Sequence, residues 1–166
     1  MAQAYLRISA SVIQAIAIIV LASMVAINTA EIVHRVLFTN SLNWVQELSL
    51  VLAMTLYFLV YALIAKRQEY IRINLVARLL RPDWQRRFSM LVRVVILVFH
   101  ALVAWYAVRA VEFAAMFETP ILGWGEWVYY LPLAVGCTDI VMTELIYLAW
   151  QWRGIALPEE RSEVLT

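Results

Sequence analysis

Charge is scarce in this sequence: Asp, Glu, Lys and Arg together make up 15% of its 166 residues, against roughly a quarter in an ordinary soluble domain. Hydrophobic residues make up 64% and gather into long blocks that a soluble core of this size could not bury, so the bilayer is the expected solvent. Cysteine is nearly missing. Cys137 alone cannot form an internal disulfide, and with only His34 and His100 beside it there is no zinc-ligand spacing. Four scattered glycines supply no phosphate-binding loop. No nucleophile, base and oxyanion grouping stands out either, so an enzyme is the least supported class. A formal net charge of +1 implies no nucleic-acid partner, and the placement of charge says more than its total. No cofactor is implied.

What is present is a set of long uncharged runs. Ile8 to Ala30 is 23 residues without a charge and Leu48 to Ala65 is 18; at 1.5 Å per residue the first exceeds the roughly 30 Å of hydrocarbon. A cleaved secretory signal competes for the first run, but the run is longer than a usual apolar signal core and no small-x-small site follows it. Spans are expected at about 8–30, 46–65, 88–111 and 127–150. Arg93 and Arg109 lie near the ends of the third, where long side chains reach the interface. The connection from Lys66 to Arg87 carries seven basic residues against Glu69 and Asp83, which by the positive-inside rule makes it cytoplasmic. Glu112, Glu118 and Glu126 mark the last connection, and Arg35 is the basic residue of the first, so both read as external. Trp124, Trp127, Tyr129 and Tyr130 at one end of the fourth span, and Trp150 and Trp152 at the other, match interfacial aromatic belts.

The expected fold is thus an all-α membrane protein of four transmembrane helices plus one interfacial amphipathic helix, both termini cytoplasmic. It forms a single membrane domain over 1–153 with a flexible tail, 154–166. The interfacial helix, about 71–81, sets Ile73, Leu75, Val76, Leu79 and Leu80 on one side and Asn74, Arg78 and Arg81 on the other. Arg72, Arg78 and Arg81 form its basic face. Pro82 disfavours helix in the residue before it, and Asp83 is then placed to cap the next helix.

Asp139 and Glu144 are the sharpest anomaly, because an acid at the centre of a span costs about 2.5 to 3.5 kcal/mol on insertion scales. Antiparallel neighbours at equal depth have residue numbers of constant sum, which sets His100 level with Asp139 and Arg93 level with Glu144. His100 and Arg93 share one helix face, whereas the two acids diverge by about 140°. One acid is therefore expected to face another span or another subunit. A network that fixes helix packing, an intersubunit contact and direct proton or sodium coupling are the open readings of Arg93, His100, Asp139 and Glu144. Glu47 begins an outside-to-inside helix, where the dipole favours a carboxylate and Arg35 is within reach. Gln14 and Asn28 fall on one side of the first helix and mark its protein-facing side.

Several loose motifs occur in a telling order: Trp44, Glu47 and Leu48 opening the second span, the Ala65-Lys66-Arg67 exit followed by Tyr70-Ile71-Arg72-Ile73-Asn74-Leu75, the Leu80-Arg81-Pro82 break, and Ile121 to Trp127 leading to Leu131-Pro132-Leu133. From about Asn43 to Leu133 the chain resembles the small membrane subunit of tripartite ATP-independent periplasmic (TRAP) transporters. Tyr70 stands where His is frequent in that family and Asn74 where Asp is frequent, so no role transfers to those two positions. The resemblance implies a non-catalytic subunit in the bacterial inner membrane. Its partners would be a large membrane permease subunit, which uses the sodium gradient, and a periplasmic substrate-binding protein that delivers organic acids. It further implies that the small subunit widens and anchors the scaffold of the large one, with Trp44 and Glu47 as a large-subunit contact. Two rivals are a haem-bearing membrane anchor of a respiratory complex, for which only His100 lies within a span, and a small autonomous proton-coupled exporter.

Overall fold

The computed structural model describes residues 2–67 and 82–154. Within them lie four helices, α1 (Ala2–Phe38), α2 (Asn43–Arg67), α3 (Pro82–Ala114) and α4 (Trp127–Trp152), each long and apolar enough to cross a bilayer. Each expected span sits inside one helix. The difference is largest for α1, whose 37 residues extend about 55 Å. No proline or glycine interrupts Ala2–Phe38, so backbone hydrogen bonding continues past the hydrocarbon boundary. The helix stops at Thr39, whose N–H donates to Arg35 O at 3.0 Å and whose φ of 60° is a left-handed cap that a β-branched residue adopts under strain. At the start of α3, Pro82 occupies the first turn, where a missing N–H is harmless. The capping role expected of the Asp83 side chain lies outside what the structure describes. The interfacial helix expected over 71–81, its basic face of Arg72, Arg78 and Arg81, and the tail beyond Gly154 lie outside the described residues.

The helices pack in the order α1, α2, α4, α3, with α4 held between α2 and α3. Asn28 with Ser49, and Gln14 with Arg67, show that α1 and α2 are antiparallel. Arg93 with Glu144 and Ser89 with Gln151 show the same of α3 and α4, whereas α2 and α4 run parallel, Glu47 meeting Leu122 just ahead of α4 and Lys66 meeting Asp139 and Thr143 within it. Small residues allow this closeness: Ala62 and Ala65 of α2 are buried against Ile140. At Gly136 an added Cβ would come within 3.1 Å of Phe58 Cβ and 3.2 Å of Phe58 O. In lipid, where the solvent is as apolar as the side chains, such close packing is a main source of helix association. Gly136→Leu should therefore force α2 and α4 apart and lower the melting temperature of the purified protein by several degrees. An unchanged melting temperature would show that the two helices separate without loss.

Outward faces of α1 and α3 are apolar and exposed, Ile8, Ile16 and Ile19 on one and Leu91, Phe99 and Trp105 on the other. Such surface suits lipid or another membrane protein and not water. The connection between α3 and α4 folds into a compact turn. Glu118 and Gly125 form an antiparallel bridge, Thr119 N–H donates to Trp124 O at 2.6 Å, and Glu126 N–H donates to Phe117 O at 2.9 Å. Gly123 takes φ of 64° at its tip, a conformation glycine adopts without strain.

Candidate functional site: paired charges around α4

The five-residue spacing of Asp139 and Glu144 turns them toward different neighbours of α4. Asp139 faces α2, where Lys66 Nζ lies 2.8 Å from its Oδ1. Tyr5 of α1 donates its hydroxyl to the same oxygen at 3.3 Å. Lys66 also donates to Thr143 Oγ1 at 3.5 Å, and its Nζ lies 5.0 Å from the Tyr5 ring centre. Glu144 faces α3, where Arg93 Nη1 lies 3.1 Å from Oε2, with the side chains 4% and 2% exposed. Tyr147, one turn on from Thr143, joins the two pairs. Its ring lies 5.4 Å from the Arg93 guanidinium carbon, and its hydroxyl donates to the backbone oxygen of Lys66, one of the carbonyls a helix end leaves without an intrahelical donor. The resulting network ties together all four helices at the end where α2 finishes and α3 begins.

Lys66 is the residue that sequence reading missed, since its place among seven basic residues assigned it to a solvated connection. The structure buries its side chain to 1% exposure. The cause is directional: Cβ atoms tilt toward a helix N-terminus, so a lysine at the end of α2 leans back into the bundle. Its four-carbon stem then spans the remaining distance to Asp139. Tyr5, Thr143 and Tyr147 were also passed over, because hydroxyls near a span end look like ordinary interfacial residues.

The other expected residues are placed as follows. Arg93 and Glu144 meet, as their equal depth required. Asp139 and His100 do not. Asp139 is turned to Lys66, and the His100 ring lies beside Tyr61 of α2, with Nδ1 donating to Ile96 O at 2.8 Å and Nε2 accepting from the Tyr61 hydroxyl at 3.1 Å. Glu47 is buried and meets the α3–α4 turn, its Oε2 accepting from Leu122 N–H at 2.7 Å, where Arg35 had been the expected partner. Trp44, on the same helix turn, is 40% exposed. Gln14 accepts from Arg67 and Asn28 donates to Ser49 at 2.9 Å, so these two residues of α1 face α2.

Chemically, this arrangement is a pair of neutralised ion pairs. An unpaired ion inside a span is expensive, and a partner at hydrogen-bond distance offsets that penalty. The carboxylates are thereby committed to cations of the same chain. Among the described residues, fold and charges define a helical membrane protein of four spans in which Asp139 and Glu144 are paired within the chain. The sequence matches the family of tripartite ATP-independent periplasmic transporters, DctQ component, over residues 24–155, and the chain belongs to that family, the small permease component of TRAP transporters. No curated protein matches it.

Proposed function

We propose that this chain is the non-catalytic anchor of a sodium-coupled uptake system for organic acids, holding the scaffold of a large membrane permease subunit that works with a periplasmic substrate-binding protein. Membership of the family supports the assembly. The observation that carries the anchoring role is the pairing of both intramembrane acids within the chain, Asp139 with Lys66 and Glu144 with Arg93. Carboxylates paired with a lysine and an arginine brace helices and are poor sites for a transported cation, which would have to displace the Lys or Arg. The apolar outer faces of α1 and α3 supply surface for a membrane partner, since a helix face of that kind packs equally well on lipid or protein. In this reading the connection between α2 and α3 and both termini face the cytoplasm across a bacterial inner membrane, which the seven basic residues from Lys66 to Arg87 support by the positive-inside rule.

The test is sodium-driven uptake in proteoliposomes that contain the large subunit and the binding protein, with and without this chain. Uptake should fall by tenfold or more when the chain is left out, and the chain alone should move no solute. Full uptake in its absence, or uptake by the chain alone, would refute the proposal.

A further inference from the structure

A groove of about 610 Å³ runs along the outer side of the α3–α4 contact, within the range of volumes that bind small ligands. Met90 and Val94 of α3 and Leu145, Leu148, Ala149 and Trp152 of α4 line it, and Arg153 stands at its end. The lining is apolar along the membrane and turns cationic where the helices leave it. Helical repeat puts Arg87 on the same α3 face as Met90 and Val94, one turn nearer the start of that helix. Its guanidinium carbon lies 5.5 Å from the Trp84 ring centre, which holds the charge at the same end of the molecule as Arg153. Glu144, the nearest acid of α4, is turned away and paired with Arg93.

We infer that this groove is a binding site for one anionic phospholipid, an acyl chain lying between Val94 and Leu145 and the phosphate held by Arg153 and Arg87. The order of chemistries matches such a lipid: an apolar channel about 12 Å long from Leu145 to Arg153, with an aromatic side chain, Trp152, at headgroup level, then two guanidiniums that suit a phosphate better than a point charge would. Basic pockets between transmembrane helices recognise lipid headgroups on this principle. A zwitterionic lipid would fill the apolar channel but would bring its own cation to the arginines, so it should bind more weakly.

The full chain, delipidated in detergent, should retain added phosphatidylglycerol in native mass spectrometry and bind phosphatidylcholine several-fold less. Arg153→Gln should reduce the phosphatidylglycerol preference about fivefold, the effect of one basic residue near a membrane surface; Arg87→Gln should act in the same direction. Ala149 is exposed, so Ala149→Phe fills the groove without disturbing the core and should lower retention of both lipids. A photo-crosslinking amino acid in place of Ala149, activated in intact membranes, should capture phospholipid. Equal retention of the two lipids by the unaltered chain, undiminished retention after Ala149→Phe, or crosslinking at position 149 to a polypeptide would each overturn the assignment, the last by showing that a protein helix occupies the groove.

Discussion

Glu144→Leu is expected to destabilise the protein by about 3 to 5 kcal/mol, the range seen when one member of a buried ion pair is removed. The carboxylate is 2% exposed on its side chain and lies 3.1 Å from the Arg93 guanidinium. Leucine matches its size but takes from Arg93 the carboxylate it faces at 3.1 Å, and Arg93 is buried. Arg93→Leu alone should be comparably harmful, because it removes the guanidinium that the buried Glu144 carboxylate faces. The double variant should be markedly more stable than either single one, since two apolar side chains in place of a buried pair are often close to neutral. Thermal unfolding and detergent-extracted yield of the four proteins close the cycle. A Glu144→Leu protein as stable as the unaltered one would show that the pair contributes nothing to holding α3 on α4.

At Asp139 the expected ranking is Asn well above Lys. An amide oxygen at position 139 still accepts from Lys66 Nζ, 2.8 Å away in the native pair, so Asp139→Asn keeps that contact and should lose less than about 3 kcal/mol, the upper end for a hydrogen bond to a charged group. Asp139→Lys sets a second ammonium against the first in a site where Lys66 is nearly inaccessible to water, and the folded yield should collapse. Reversing the pair, Lys66→Asp with Asp139→Lys, should recover part of that yield, because opposite charges again face each other. Recovery distinguishes a specific α2–α4 contact from a general dislike of lysine at that depth. Wild-type yields for both single variants would mean that Asp139 looks toward water or lipid headgroups.

Much of the architecture was legible in the sequence because a membrane span is a statement about length: 23 uncharged residues before Glu31 have few other physical solutions. The pairing of Arg93 with Glu144 was legible for a related reason. Helices joined in sequence and lying antiparallel bring predictable depths together, and the arithmetic of depth needs no side-chain detail. Lys66 with Asp139 was harder, since α2 and α4 are parallel and are not consecutive, so nothing local announces that they touch. The divergence of the two acids on α4 did indicate that one of them would seek a different neighbour. Which cation it found depended on the direction in which Lys66 leaves α2, and a helical wheel does not display that direction. Glu47 illustrates a different limit. Its partner is the backbone N–H of Leu122, a group every non-proline residue carries, so no residue type in the turn could flag the contact. His100 was assigned by depth alone and its ring went to Tyr61, the nearer polar group on the face it presents.

The central claim is that the intramembrane charges brace the scaffold and carry no ion across it. Sodium-driven uptake by the reconstituted transporter, with this chain carrying Lys66→Met together with Asp139→Leu, tests that claim most directly. Methionine follows the path of the lysine stem and leucine approximates the volume of the aspartate, so α2 and α4 should stay packed while both charges disappear. Tyr5, which is partly exposed, can turn its hydroxyl to the headgroup region. The account predicts an assembled complex with uptake within about twofold of the unaltered transporter. An assembled complex of normal stability that has lost sodium-driven uptake would contradict it, and would place Asp139 on the path of the coupling ion.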